Sequence, residues 1–144
     1  MKQLNQVKFQ FLSRSVNEGF ARAALAAFLA QADPTVPQLA DFKTAVSEAV
    51  TNCIVHAYPD RVGAISMTAA LYDDGTVRVT VADRGVGIPD VAQAMQPLYT
   101  TGDPAERAGL GFAVMQNFMD RVRVVSAPGK GTRVTLTKRL APKL

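Results

Sequence analysis

Three polar side chains recur at helical spacing between residues 48 and 56: Glu48, Asn52 and His56. Four residues turn a helix through about 400°, so the three drift by only about 40° per step and line one edge. A carboxamide oxygen there is a hard ligand of the kind Mg²⁺ shares with substrate phosphates. A carboxylate one turn earlier is placed to accept a proton from an attacking hydroxyl or water. His56 is the sole histidine; phosphoacceptor and metal ligand are open roles for it, but a packed polar group at a helix end is the reading favoured here. A second cluster is "VADRGVGIPD", where Asp83, Gly85 and Gly87 alternate at the end of a strand pattern. The Asp83 carboxylate can accept a bond from an amino group such as an adenine ring presents, and the glycines would let backbone approach a ligand closely. The third is "AGLGF", which sets Gly109 and Gly111 directly before an expected helix, where free N–H groups and the helix dipole favour phosphate.

The elements that must position these groups follow from periodicity. Leu4, Val7, Phe9 and Phe11 give a partly alternating strand over residues 3–12. Ser15 or Asn17 caps a helix over about residues 16–31, with Phe20, Ala24, Ala27 and Phe28 at helical spacing. A second helix is expected over about residues 37–58, its apolar side traced by Leu39, Phe42, Val46, Ala49, Val50, Cys53, Ile54 and Ala57. Strands at about 64–72 and 76–83 flank the hairpin signal "DDGT". Residues 88–109 form a long turn-rich stretch of the kind that makes lids. A helix over about 110–119 and strands at about 121–127 and 132–138, joined by "PGKG", complete the order β-α-α-β-β-loop-α-β-β. Long amphipathic helices must then cover one face of a mixed, mostly antiparallel sheet, giving an α+β two-layer sandwich.

Composition excludes several classes. The chain has 144 residues and is 48% hydrophobic, enough for one core and one domain over residues 1–144. It carries no apolar run long enough to span a bilayer and no signal-peptide pattern, so a cytoplasmic location with no membrane association is expected. One cysteine, Cys53, rules out an internal disulfide and reads as a small core residue. The net charge of +4, partly carried by Lys138, Arg139 and Lys143, is scattered along the sequence. Scattered charge reads as a solvated surface, not as a nucleic-acid face. "PGKGT" lacks the Ser or Thr and the earlier glycine of a P-loop, and neither Gly-x-Gly-x-x-Gly nor a kinase His-Arg-Asp loop occurs.

In this order, the motifs resemble the ATP-binding fold shared by gyrase, Hsp90, histidine kinases and MutL, the Bergerat-type fold. "EAVTN" with His56 resembles its N box, "DRGVG" and "GLGF" its two glycine boxes, and "GT" at Gly131–Thr132 the strand beside adenine. Over nearly the whole chain, through "KTAVSEAVTN", "QPLYTTG", "GLGFAVMQNFMD" and "LTKRL", the sequence resembles the bacterial anti-sigma serine kinases, and within them the sporulation branch directed at sigma-F-type factors.

That resemblance implies ATP or ADP as nucleotide, Mg²⁺ as metal, a sigma factor and an anti-anti-sigma protein as partners, and a homodimer. By position it makes Glu48 the general base, Asn52 the Mg²⁺ ligand, and Asp83 the adenine contact with help from Thr132. Gly85, Gly87, Gly109 and Gly111 frame the nucleotide, Thr100 and Thr101 belong to the lid, and Arg107 is a lid arginine near the terminal phosphates. Glu18 and Arg22 match partner-facing positions. Gly102 stands where a lysine is common in this lid. Competing readings are a general-stress-type anti-sigma kinase, a nucleotide-gated binding protein without kinase activity, a detached histidine-kinase module, and a basic nucleic-acid-binding module.

Overall fold

The computed structural model describes residues 1–96 and 104–140, the side chains of 104–110 excepted. Five strands, β1 (Gln3–Leu12), β2 (Ala64–Tyr72), β3 (Thr76–Asp83), β4 (Arg121–Ala127) and β5 (Gly131–Arg139), form one sheet in the order β1-β2-β3-β5-β4. All four pairings are antiparallel, so the sheet is not mixed. Hairpins of three residues each join β2 to β3 and β4 to β5, and so short a connection cannot join parallel strands.

Alternation of side chains gives the sheet two unlike faces. Ile65, Met67, Val79, Val81, Val134 and Leu136 point into the core, which α1 (Val16–Leu29), α2 (Val36–Asn52) and α4 (Pro104–Phe118) cover. Phe42, Leu25 and Leu29 from the helices are fully buried against it. The two-layer expectation therefore holds, and the helices lie on one side only. A short helix α3 (Val91–Ala94), capped by Asp90 Oδ1 accepting from the Gln93 N–H at 3.0 Å, lies within the stretch read from sequence as loop. No helix among the described residues is long and apolar enough to cross a membrane.

Three helix ends differ from the sequence expectation. Ser15 precedes α1 in helical conformation and makes no capping bond, while Asn17 Nδ2 donates to Leu12 O instead. The long second helix is sharply capped by a Thr35–Gln38 box, with Pro37 in its first turn. It does not run unbroken to Tyr58. After Asn52 the backbone widens into one π turn, Cys53–Ala57, closed by Tyr58 N–H donating to Cys53 O at 3.3 Å. Such single π turns are frequent at functional sites. Third, α4 starts at Pro104, so Gly109 and Gly111 sit inside a helix and not before one. Pro at the first turn followed by Ala105, Glu106 and Arg107 is a good helix start, and the two glycines cost only about 1 kcal/mol each.

Two polar side chains lock these elements together. Lys138 Nζ reaches from β5 to Asp41 Oδ2 on α2 at 3.0 Å and to Phe118 O at the end of α4 at 2.8 Å. Tyr58, 4% exposed, donates its hydroxyl to Ala64 O and accepts from Arg84 N–H, both at 2.7 Å. It thereby ties the π turn to the start of β2 and the end of β3. Tyr58→Phe should strand both backbone groups and lower unfolding free energy by about 1–3 kcal/mol, measured by urea titration; an unchanged midpoint would show that water replaces the phenol at no cost.

Candidate functional site

The end of β3, the π turn and the start of β5 converge on one carboxylate. Asp83 Oδ1 accepts two backbone N–H bonds, from Gly85 at 2.9 Å and Thr132 at 3.2 Å. Asp83 Oδ2 accepts from the Cys53 thiol at 3.4 Å. A carboxylate oxygen has room for two acceptor contacts, so Oδ1 is filled and Oδ2 keeps one position open. Asp83 lines a cavity of about 320 Å³. That volume is at the small end of the roughly 300–1,000 Å³ typical of small-molecule sites, which suits a planar base better than a whole nucleotide.

The cavity wall is mostly apolar. Ala49, Cys53, Ala57, Ile88, Phe112 and Val134 contribute to it; Asn52, His56, Asp83 and Thr132 are polar points of the wall, and Asp90 and Gln93 add two more from the α3 side. A ring would be held by packing, and its orientation set by the few polar atoms. The π turn is what brings His56 here: it breaks the regular drift expected from helical spacing while keeping the residue on the cavity side.

Gly85 is needed for backbone packing rather than for ligand approach. A Cβ there would overlap the Ala57 carbonyl, and that carbonyl accepts the Val86 N–H at 3.0 Å. So the first glycine-rich turn is moulded to the π turn, and Gly87 is the one of its two glycines that faces the cavity. Ser126 holds the other side. Its hydroxyl accepts from Ile88 N–H at 2.7 Å and lies 2.8 Å from Thr132 Oγ1.

At the cavity edge, Asn52 of the wall and Glu48 just outside it stand together against α4. A Cβ on Gly111 would lie 3.2 Å from Asn52 Oδ1 and 3.3 Å from Glu48 Oε2. Gly111 thus lets α4 pass close to both polar groups, where a larger side chain would crowd them. The Asn52 Nδ2 atom is buried with no hydrogen-bond partner among the described residues, an arrangement that costs free energy unless a ligand supplies an acceptor. Burial, and secondarily the negative Glu18, raise the Glu48 carboxyl above its ordinary value. Such a raised carboxyl is suited to proton transfer nearer neutrality.

Glu18 and Arg22 are not free surface groups. Arg22 Nη1 donates to Glu18 Oε1 at 2.7 Å and to Ser47 Oγ at 3.1 Å, while Thr51 Oγ1 donates to Glu18 Oε2 at 2.9 Å. The pair bridges α1 to the α2 segment that carries Glu48. Both keep about a third of the side chain exposed, so a partner can still reach them.

Thr100 and Thr101 lie outside the described residues, as does the side chain of Arg107, whose backbone belongs to α4. The reading of Gly109 and Gly111 as free N–H donors at a helix N-terminus is corrected by the earlier start of α4. Sequence reasoning missed Cys53, Tyr58 and Ser126 as site residues. "CIVHAY" reads as a continuation of the helix pattern and gave no signal; only a serine opposite Thr132 in the last hairpin was there to find.

The family described as Histidine kinase-like ATPase domain matches residues 11–138. An "Anti-sigma F factor" of Caldanaerobacter subterraneus subsp. tengcongensis is 55% identical over 138 residues, covering 96% of each chain. The chain belongs to the anti-sigma F factor family of histidine kinase-like ATPase domains. A second member, from Geobacillus kaustophilus, is 51% identical and covers 95% of this chain and 94% of its own. The RsbU and RsbW domains of a Mycobacterium tuberculosis protein superpose with a TM-score of 0.72 at 27% identity, over 97% of this chain and 34% of that one. A blue-light activated histidine kinase of Erythrobacter litoralis gives 0.58 at 27% identity, over 75% of this chain and 32% of that one. Membership in an ATPase family implies ATP/ADP binding.

Two outcomes check this construction. Gly85→Ala should force the π turn away from β3, lowering stability by about 1–3 kcal/mol and weakening ATP binding in a nucleotide titration. The Cys53 thiol is buried, and burial followed by the Asp83 charge pushes its pKa well above the ordinary thiol value. It should therefore resist alkylation in the folded protein and react promptly once denatured; ready labelling of the native state would break the Cys53–Asp83 assignment.

Proposed function

We propose that the chain is an anti-sigma factor which holds a sigma factor of the sigma-F type inactive, and which uses ATP to phosphorylate a serine on an anti-anti-sigma protein. The observation that carries this reading is the 51–55% identity, along nearly the full length, to proteins called anti-sigma F factor. On this reading residues 1–144 act as one domain, in the cytoplasm and as a homodimer.

The residues supply the steps. The open position on Asp83 Oδ2 accepts the adenine amino group, with Thr132 beside it, and Phe112 and Ile88 pack on the ring. Asn52 and Glu48 then lie where the phosphates leave the cavity. No group of three or more His, Cys, Asp or Glu side chains placed to hold a metal occurs among the described residues. Asn52 Oδ1, which stands with the Glu48 carboxylate at Gly111, still fits Mg²⁺, which prefers hard oxygens and shares them with substrate phosphates, while the buried Nδ2 is a donor suited to a phosphate oxygen. When bound, that ion would neutralise charge on the phosphate oxygens.

Glu48 takes the proton of the incoming serine hydroxyl. The serine oxygen forms a bond to the γ-phosphorus, the bond to the bridging oxygen breaks, and the electron pair departs with ADP. Arg107, Thr100 and Thr101 are proposed to close over the phosphates from the lid. Glu18 and Arg22 would meet the partner proteins, and because they are bonded to Ser47 and Thr51 they bear on the helix that carries the base. Added phosphate, about −1.5 to −2 charge, would weaken the product complex.

The test is transfer from γ-labelled ATP to the anti-anti-sigma protein of the same genome. Label should appear on one partner serine and fall by about 10²–10⁴ in Glu48→Gln, with ATP binding retained; Asn52→Ala should impair Mg·ATP binding itself. ATP binding without label would leave a nucleotide-gated binding protein in place of a kinase. The pH profile gives an independent check. Activity needs ionised Glu48, so its raised pKa places the acidic limb above the ordinary carboxylate range. Glu18→Gln removes the second cause of that rise but not burial, and should move the limb part of the way down. A limb that stays put would remove Glu18 from the electrostatics of the base.

A further inference from the structure

The face of the sheet away from the helices is basic and carries no acid. Asp83 is the only acidic residue in the five strands, and its carboxylate points to the cavity side. Side-chain alternation places Lys8, Arg78, Arg121, Arg123, Arg133 and Arg139 on the opposite face. Strand order brings four of these together. Thr137 pairs with Arg78 on one side and Arg121 on the other, Thr135 pairs with Arg123, and Arg133 pairs with Val125. Charges scattered along the sequence are thus gathered by the fold.

None of these six basic groups forms an ion pair with a described residue; the ion pairs Arg22–Glu18 and Lys138–Asp41 lie on the helix side. Neighbouring strands are about 4.8 Å apart, so Arg78 and Arg121 stand about 10 Å from each other. That is close to the Debye length of about 8–10 Å at ordinary ionic strength, and the guanidinium groups act on an incoming anion together. Like charges on neighbouring strands are unfavourable by themselves, and an anionic partner would relieve them.

We propose that this open sheet face, centred on Arg78, Arg121, Arg123 and Arg133, docks an acidic α-helix of a protein partner. A helix laid on a sheet is the packing already used on the other face. Carboxylates seven residues apart on a helix are separated by about 10.5 Å, matching two strand spacings, and a guanidinium fork binds a carboxylate through two parallel bonds. A second copy of the chain is disfavoured by its like charge. Nucleic acid is the poorer fit: a flat threonine-lined sheet enters no groove, and no ring is available for stacking, since the outward Tyr72 ring is covered by Arg78 at 5.1 Å.

The experiment uses the full chain and a fluorescent alanine-based helical peptide with glutamates along one face, with a duplex DNA of equal charge run in parallel. The peptide should bind saturably. Arg121→Glu with Arg123→Glu should weaken it by roughly tenfold or more, whereas Arg14→Glu with Lys43→Glu, the same change in net charge elsewhere, should leave it almost unaltered. Arg123→Gln, which only removes one charge, should give a smaller loss and guards against misfolding of the reversed pair. No saturable peptide binding, an equal loss in both pairs, or DNA binding through Arg121 and Arg123 in place of the peptide would each overturn the proposal.

Discussion

The bonds to the Asp83 carboxylate are the constraint on which the rest of the site depends. An ionised side chain half-buried at a strand end needs donors, and it receives them from three separate parts of the chain: the turn that follows it, the start of β5 and the π turn. Each bond fixes a piece of backbone as well as the carboxylate. The turn can approach only because position 85 is glycine, and the π turn is held in register by the Ala57 carbonyl accepting from Val86. The Asp83 carboxylate is thereby a structural clamp. Loss of its charge would disturb the walls of the cavity along with its chemistry.

The same clamp explains why Glu48 lies beside the apolar cavity while Asn52, one turn on, lines it. α2 is regular up to Asn52 and widens just where Cys53 must turn its thiol toward Asp83. The regular part presents the base and the amide toward Gly111 of α4; the widened part presents the floor of the cavity. One helix therefore carries both the Glu48–Asn52 pair and part of the cavity wall, with the change of pitch as the boundary. The α1 side adds electrostatic control, because Glu18 is held by Arg22 and Thr51 near the base whose ionisation it opposes.

Much of the sheet was legible in the sequence because strands with one buried face alternate strictly. The expected ranges 64–72 and 76–83 coincide with Ala64–Tyr72 and Thr76–Asp83. The groups at the site were legible as residue types at fixed spacing: Glu48 and Asn52 meet at Gly111, and Asp83 and Thr132 meet at the cavity. What was hidden depends on contacts between distant segments. A π turn has no sequence period of its own; it exists here because Tyr58, Cys53 and Ala57 each find a partner on β2, β3 or the turn after β3. Gly109 and Gly111 read as a break because glycine disfavours helices, yet packing of α4 on α2 outweighs a cost of about 1 kcal/mol apiece.

The basic sheet face shows the same limit from the other side. "RVRVV" at Arg121–Val125 announces arginines on alternate positions, and Arg78 and Arg133 stand in strands of the same pattern. Alternation alone assigns each arginine to a face of its own strand. Only the order β3-β5-β4 makes those faces one surface and sets Arg78 and Arg121 on either side of Thr137. Net charge along the chain is thus a poor guide to where charge acts. A modest +4 becomes a concentrated field once five strands hold a single acid and that acid is turned inward, leaving the nucleotide site and the basic face back to back across one layer of backbone.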